Sequence, residues 1–331
     1  MKWIRIGAAL AGILLLGVLI RKLGSREVID QLRSVEVALA IVIVCGALRL
    51  AVQTRAWQLA LRADEIEVPQ GRLVGIRLAA QAGGYLAALG AVVTEPAKLA
   101  LMRGSAAITA SAPATLAETG SYWFTSVVLG LAGTCAAAIL IPGSRIVWLS
   151  AAVFAVAFVF LLARGALLSP IVRLAGARAP KWLRSAETTE LLIRSFRQRR
   201  RNAATKVMAL ETVAQLLTLA EVAAVLCVAG MRTSALHILA IESAGRLVKI
   251  LAAWVPARLG ADEAGAAAAF AILGLPPAAG LTLALARRLR DLLFCIAGAA
   301  WAGFSVRRPS TVDAPRELSC AVLRGALTCK Q

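Results

Sequence analysis

Long apolar segments alternate with short polar ones along most of this chain. The segments 4–20, 120–141 and 146–163 are each long enough to cross, or nearly cross, a bilayer, which takes about 20 apolar residues. A transmembrane barrel would instead show repeated ten-residue segments of alternating polarity, and the sequence has none. The pattern therefore predicts an all-α, polytopic membrane bundle.

The same pattern divides this bundle into helices and irregular stretches. A transmembrane domain is predicted over 1–305, with a basic linker at 164–206 between its halves and a polar tail at 306–331. Two apolar stretches, 73–103 and 235–275, contain proline, glycine and charges and do not form simple spans. The predicted membrane helices lie at 4–20, from Val35 towards Trp57, and at 117–140, 146–163, 207–229 and 279–304.

Composition supports a membrane protein and explains the charge. Hydrophobic residues make up 60% of the chain, against roughly 45–50% in soluble proteins. The net charge is +19, but the basic residues lie between apolar segments, and 164–206 alone holds eleven of them, including RQRRR at 197–201. By the positive-inside rule this linker is cytoplasmic, and contact with anionic headgroups is a secondary effect. Nucleic acid is not an expected partner, because no aromatic residues alternate with the basic run.

Orientation of the helices from this cytoplasmic linker gives a topology. The stretch 73–103 then begins and ends inside, whereas 235–275 begins and ends outside. Both stretches are predicted to be re-entrant hairpins that enter from opposite faces, as an inverted repeat would give. The apolar N-terminal segment lacks a clear cleavage site and is predicted to be an uncleaved first helix. Arg307 and Arg308 favour a cytoplasmic tail, and the topology places both termini in the cytoplasm. The loop 21–34, which then lies outside with four basic residues, argues against this topology.

The two hairpin tips share a pattern. The first reads AALGAVVTEPAKL at 87–99, and the second reads AWVPARLGADEAGAAAAF at 253–270. Each has a glycine, then an acid, then a run of small apolar residues, with a proline nearby. Free backbone groups at membrane depth are tolerated only beside protein or a water-filled cavity, so each tip predicts a polar cavity. The predicted helix breaks are Gly90, Pro96, Pro256 and Gly260.

Charged residues within the apolar stretches predict the lining of this cavity. Glu95 and Lys98 are three residues apart, and Arg246 and Lys249 continue one helical face. An arginine at the centre of a bilayer costs roughly 2.5–3.5 kcal/mol on insertion scales, so buried charges need a cavity or each other. The predicted cavity residues are Glu95, Lys98, Arg246, Lys249, Arg258, Glu263 and Arg287.

Simpler interpretations of these charges remain open. Glu95 and Glu263 would be purely structural ion-pair partners in one of them, and Arg287 would mark a helix boundary in another. Glu118 and Glu211 lie near enough to predicted helix ends to reach the headgroup region, and Trp57 is expected in an interfacial aromatic belt.

The composition excludes several kinds of chemistry. The six cysteines lack CxxC spacing, and the single histidine forms no cluster, so neither disulfides nor a metal site is expected. No nucleophile–base pair and no nucleotide-binding loop is present, so no cofactor and no enzymatic activity are predicted.

The segments 48–61, 81–103 and 255–291 resemble the flippase-like membrane domain family, which includes the transmembrane half of lysylphosphatidylglycerol synthases. The elements Gly-x-x-x-x-Glu-Pro-x-Lys and Pro-x-x-x-Gly-x-x-Glu carry the resemblance. Within that family the chain looks like the hopanoid-biosynthesis-associated branch.

The resemblance implies a bacterial inner-membrane protein that moves a polar-headed lipid between leaflets, or supports hopanoid maturation or transport. Its implied partners are anionic phospholipid or hopanoid, with lipid-biosynthesis enzymes as further partners. The alternative hypothesis is a non-transporting membrane scaffold for lipid-modifying enzymes.

Overall fold

The protein is an all-α polytopic membrane bundle in the computed structural model. The structure describes residues 25–87, 90–102, 105–162, 191–258 and 260–306. The predicted first helix at 4–20, most of the basic linker and the polar tail lie outside these residues. Helices long and apolar enough to span a bilayer are Glu36–Ala63, Ile108–Leu140 and Arg201–Val228, and Arg145–Leu161 is a shorter apolar helix.

The first half of the chain contains one broken hairpin between long helices. Its elements are α1 (Ser25–Ala63), α2 (Gln70–Leu86), α3 (Gly90–Met102), α4 (Ile108–Leu140) and α5 (Arg145–Leu162).

The second half repeats this order after a short helical segment, α6 (191–199). It consists of α7 (Arg201–Val228), α8 (Ala235–Leu251), a 3-10 turn (Pro256–Arg258), α9 (Ala261–Ile272) and α10 (Pro277–Val306).

The helix contacts obey an internal pseudo-twofold relation in which α1–α4 correspond to α7–α10. Helix α1 packs on its counterpart α7. The contact of α4 with α8 is matched by α10 with α2, and that of α4 with α7 is matched by α10 with α1. Each half therefore inserts its hairpin against the long helix that closes the other half.

The repeat is inverted. Gln53 of α1 bonds to Glu211 of α7. Val42, eleven residues earlier in α1, packs with Val222, which is eleven residues later in α7. The equivalent helices α1 and α7 are thus antiparallel. Two units related in this way have opposite orientations across a membrane, as predicted for an inverted-topology repeat.

Two hydrophobic clusters mark the two ends of the bundle. The linker-side cluster surrounds Trp57 and includes Met102, Phe196 and the partly buried Trp301. The opposite cluster surrounds Phe270 and includes residues of α1, α7, α8 and α10. Because α2 and α3 both reach the linker-side cluster, whereas α8 and α9 both reach the opposite one, the hairpins open at opposite ends.

The turn of the first hairpin depends on two glycines. A Cβ on Gly90 would collide with the Gly84 carbonyl, and a Cβ on Gly84 would collide with the Thr94 hydroxyl. The two arms therefore cross in direct backbone contact. The prediction that the helix breaks at Pro96 is wrong, because Pro96 lies inside α3. The proline removes one N–H and therefore one helical hydrogen bond, and α3 nevertheless continues to Met102.

The turn of the second hairpin is wider. After α8 ends, Ala257 and Arg258 have φ of 51° and 47°, and Gly260 has φ of 76° just before α9. Left-handed conformations are strained for residues with a Cβ, so this turn needs support from its surroundings. Two carbonyls in the turn, those of Ala257 and Arg258, accept bonds of 3.2 Å from Arg288 Nη2 of α10.

Candidate functional site: two buried charge networks and a basic cavity

The first network is centred on Glu118 of α4. Its Oε1 lies 2.7 Å from Arg77 Nη2 of α2, and its Oε2 lies 3.7 Å from Lys98 Nζ of α3. Lys98 also bonds to Glu95 at 2.9 Å, and the Thr119 hydroxyl donates to Glu95 at 2.8 Å. These bonds join both arms of the first hairpin to the helix that follows it.

Trp57 closes this network on the linker side. Its side chain is completely buried, its indole N–H donates to Thr115 at 3.0 Å, and Lys98 Nζ lies 5.7 Å from its ring centroid. A cation over an indole face is stabilised by the ring quadrupole. The expectation that Trp57 belongs to an interfacial belt is therefore wrong.

Glu211 gives the first network an excess of acid. It adjoins Glu118 and accepts a bond of 3.2 Å from the Gln53 amide. Among the described residues, the bases that face Glu95, Glu118 and Glu211 are Arg77 and Lys98. Both Glu118 and Glu211 are fully buried, ten residues inside their helices. Because protein surrounds both side chains completely, neither contacts lipid headgroups, contrary to the headgroup-region interpretation.

The second network is centred on Arg287 of α10. Its guanidinium bonds to Glu221 of α7 and to Glu242 of α8, both at 2.6 Å. Arg290 bonds to the other oxygen of Glu221 at 2.8 Å, and Arg246 lies 3.6 Å from Glu242. Because Arg287 lies well inside α10 and makes two ion pairs there, it does not mark a helix boundary.

Gln215 lies between the two networks. It accepts a bond of 2.8 Å from Arg246 and lies one helical turn from Glu211. Arg246 also bonds to the Ser126 hydroxyl of α4. One polar face of α7 therefore runs from Glu211 through Gln215 to Glu221 and joins both networks across the middle of the bundle.

The second hairpin turn carries its own ion pairs. Arg258 bonds to Asp262 at 3.0 Å, and Arg288 Nε lies 2.7 Å from Glu263, which is buried. Together with its two bonds to turn carbonyls, Arg288 ties the turn to α10. Glu263 and Arg288 thus hold the shape of the turn.

A cavity of about 60 Å³ lies beside this turn, between α8, α9 and α10, with Tyr85 of the first hairpin at its wall. It has room for about two water molecules. Its charged lining comprises four bases and two acids: Lys249, Arg287, Arg288, Arg290, Asp262 and Asp291.

Lys249 differs from the other bases of this lining. Its side chain is exposed, and within the described ranges no carboxylate lies in ion-pairing distance of its ammonium. The lining arginines, by contrast, each bond to at least one acid. Lys249 follows Arg246 by almost one turn, and Arg246 contacts the middle of α4. The cavity therefore offers one uncommitted positive charge at the depth of the bundle centre.

Six of the seven predicted site residues fall into three groups, and Lys249 belongs to none of them. Glu95 and Lys98 belong to the first network, Arg246 and Arg287 belong to the second, and Arg258 and Glu263 form the turn. Lys249 and Arg287 line the cavity. Its lining does not include the other five predicted residues, and Glu95 and Lys98 are bonded to each other, to Glu118 and to Thr119. A single cavity shared by both hairpin tips stays a prediction.

Sequence reasoning missed Arg77 as a site residue. It is almost fully buried, and it is the closest base to Glu118. The sequence did contain an indication, because Arg77 is a single charge inside the apolar run 73–86. Inserting such a charge into a membrane costs free energy unless it is paired.

A family model described as the lysylphosphatidylglycerol synthase TM region matches residues 4–299. The chain belongs to this family. The match covers both hairpins and both networks, so the charged core lies within the family domain. It supports an integral membrane protein with a lipid-related role. Comparisons with the curated proteins and with the solved structures give no significant match.

Proposed function

We propose that this member of the lysylphosphatidylglycerol synthase TM region family is a non-enzymatic lipid transporter that moves a polar-headed lipid between leaflets of the bacterial inner membrane. Its resemblance to the hopanoid-associated branch supports a link to hopanoid biosynthesis or transport, with anionic phospholipid or hopanoid as the cargo. Both termini lie in the cytoplasm in this proposal.

One observation carries the proposal: the Lys249 ammonium lines a basic cavity at the centre of the bundle and has no carboxylate partner among the described residues. A charge left unpaired at membrane depth costs free energy, and such residues mark substrate or ion pathways. An anionic headgroup would pair with Lys249, whose ammonium is the lining charge that no described carboxylate neutralises.

The size of the cavity adds a step to the transport cycle. Ligand pockets usually enclose about 300–1,000 Å³, and this cavity encloses about 60 Å³. The structure therefore corresponds to a closed state in this proposal. Headgroup binding requires the second hairpin to move away from α10 and from Tyr85. Each hairpin opens at a different end of the bundle, so movement of one and then the other would give access from each leaflet in turn.

The test is reconstitution of the full chain into liposomes with a labelled-lipid translocation assay. The lipid panel includes phosphatidylglycerol and a hopanoid, and wild type is compared with Lys249→Gln and Lys206→Gln. Lys206 is exposed on α7 and lies outside the cavity. A hydrogen bond to a charged group contributes roughly 1.5–3 kcal/mol, so Lys249→Gln should slow translocation roughly 10- to 100-fold, while Lys206→Gln leaves it unchanged.

Lys249 has no described ion-pair partner, so its replacement leaves both networks intact and should not affect folding. Absence of translocation by wild type across the whole panel would contradict the transport proposal and favour the scaffold hypothesis. Glu95→Gln serves as a second variant, because it weakens the first network without touching the cavity.

A further inference from the structure

A second, larger hollow lies at the linker-side end of the bundle. This groove encloses about 950 Å³ between α4, the end of α5, α6 and the first half of α7. Its apolar wall includes Phe124, Leu161 and Met208. It is more than ten times larger than the cavity at the second hairpin, and its volume is near the upper limit for small-molecule sites.

The rim of the groove is strongly basic. Arg194, Arg197 and Arg201 line it and are exposed, and no carboxylate is found among its described lining residues. In the part of the chain that the structure describes, none of the three forms an ion pair. The neighbouring Arg200, which does not line the groove, pairs with Asp64 at 3.6 Å. The three lining guanidinium groups are therefore available to an anion.

The depth and the polarity of the groove match those of one membrane leaflet. From Arg201 at its rim, the wall follows α7 for eleven residues to Thr212, which at 1.5 Å per residue is about 16 Å. This depth is about half of a hydrocarbon core of roughly 30 Å. A cationic rim above an apolar wall of this length matches a phosphate above an acyl chain.

We propose that this groove is a binding site for one anionic, phosphate-headed membrane lipid. Arg194, Arg197 and Arg201 hold the phosphate, because guanidinium groups pair with phosphate oxygens in a two-pronged geometry. The acyl chain lies along Phe124, Leu161 and Met208. The site is separate from the central cavity, and it binds lipid whether or not the protein moves lipid across the membrane.

The test uses the full chain in nanodiscs of phosphatidylcholine, with a phosphatidylglycerol probe that carries a photoreactive diazirine at the acyl terminus. Crosslinked peptides are mapped by mass spectrometry. The expected labels lie on α4 and α7 near Phe124 and Met208, and unlabelled phosphatidylglycerol competes more strongly than phosphatidylcholine.

The variant Arg194→Gln/Arg197→Gln/Arg201→Gln should lower the apparent affinity for the probe by roughly two orders of magnitude, because each basic residue near a membrane surface contributes about a factor of five. Its matched control is Arg145→Gln/Arg199→Gln/Arg232→Gln, which removes three exposed arginines outside the groove. The control should bind within a factor of two of wild type.

A second pair of variants tests the apolar wall. Ala209→Trp places a large side chain in the groove and should abolish the α4 and α7 labels, whereas Val213→Trp lies on an exposed face outside it and should retain them. Equal labelling by phosphatidylcholine and phosphatidylglycerol probes would overturn the proposal. Absence of these labels from wild type would also overturn it, and that result is expected if the chain's own 163–190 segment occupies the groove. Labelling needs no movement between leaflets, so failure here is distinct from failure of translocation.

Discussion

The two hairpins share one topology and differ in what their charges do. In the first, the arms cross in backbone contact at Gly84 and Gly90, and the bases bond to Glu95 and Glu118. In the second, the turn is widened by residues with positive φ, and Lys249 is left without a described ion-pair partner. An inverted repeat therefore does not need two equal sites. In the first half, the ion pairs of the first network join α2, α3 and α4, and we call this arrangement a clamp. The second half contains the cavity and Lys249, which has no described ion-pair partner.

The difference follows from how each turn is stabilised. The first turn is stabilised within the hairpin itself, by the close crossing of two glycines and by a bond from the Ala87 N–H to the Gly84 carbonyl. The second contains strained residues, each costing of order 1–3 kcal/mol, and is held by Arg288 bonds from another helix. A turn that depends on a few bonds to a neighbouring helix is the easier one to displace.

The largest expected effect comes from breaking the clamp at its centre. Arg77→Gln leaves Glu118 without its close partner among three acids, and removal of one member of a buried ion pair costs about 3–5 kcal/mol. The free energy of unfolding, measured by denaturant titration in detergent, should fall by that amount. Glu67→Gln is the control, because Glu67 is exposed and should leave stability unchanged. Equal stability of the two variants would show that the first network is not a clamp.

A smaller effect is expected from the crossing of the arms. Gly84→Ala places a methyl group against Thr94 and should destabilise by about 1–3 kcal/mol, as overpacking does. The adjacent Gly83→Ala meets no atom within 4 Å and should stabilise α2 by roughly 0.5–1 kcal/mol. Thermal unfolding in the same detergent measures both. If the two alanines shifted the midpoint in the same direction, the close crossing would be disproved.

The order of the helices, the positions of the two hairpins and part of the site could be predicted from the sequence. Hydropathy predicted the helix from Val35, and it placed 146–163 close to the observed Arg145–Leu162. The paired Gly-acid-Pro pattern located both hairpins, because charges and helix breakers at membrane depth have few structural explanations. The basic linker oriented the halves well enough to predict that the hairpins open at opposite ends.

The partners of the charges were not predictable in the same way. Arg77 and Glu118 are 41 residues apart, and Arg287 and Glu242 are 45 apart, so their pairing depends on helix packing that local spacing does not contain. The predicted helix break at Pro96 was wrong for a related reason. A proline predicts a break from local geometry, but α3 continues through Pro96, and the turn lies at the crossing glycines.

In the proposed transport cycle, the hairpin tips must separate for a headgroup to pass. Tyr85 of the first hairpin and Ala266 of the second line the same cavity. In a background without native cysteines, Tyr85→Cys/Ala266→Cys is joined by a bis-methanethiosulfonate crosslinker and assayed for lipid translocation in liposomes, with each single cysteine as control. Crosslinking should stop translocation in the double variant alone, and reduction should restore it. Translocation at an unchanged rate by fully crosslinked protein would contradict the account.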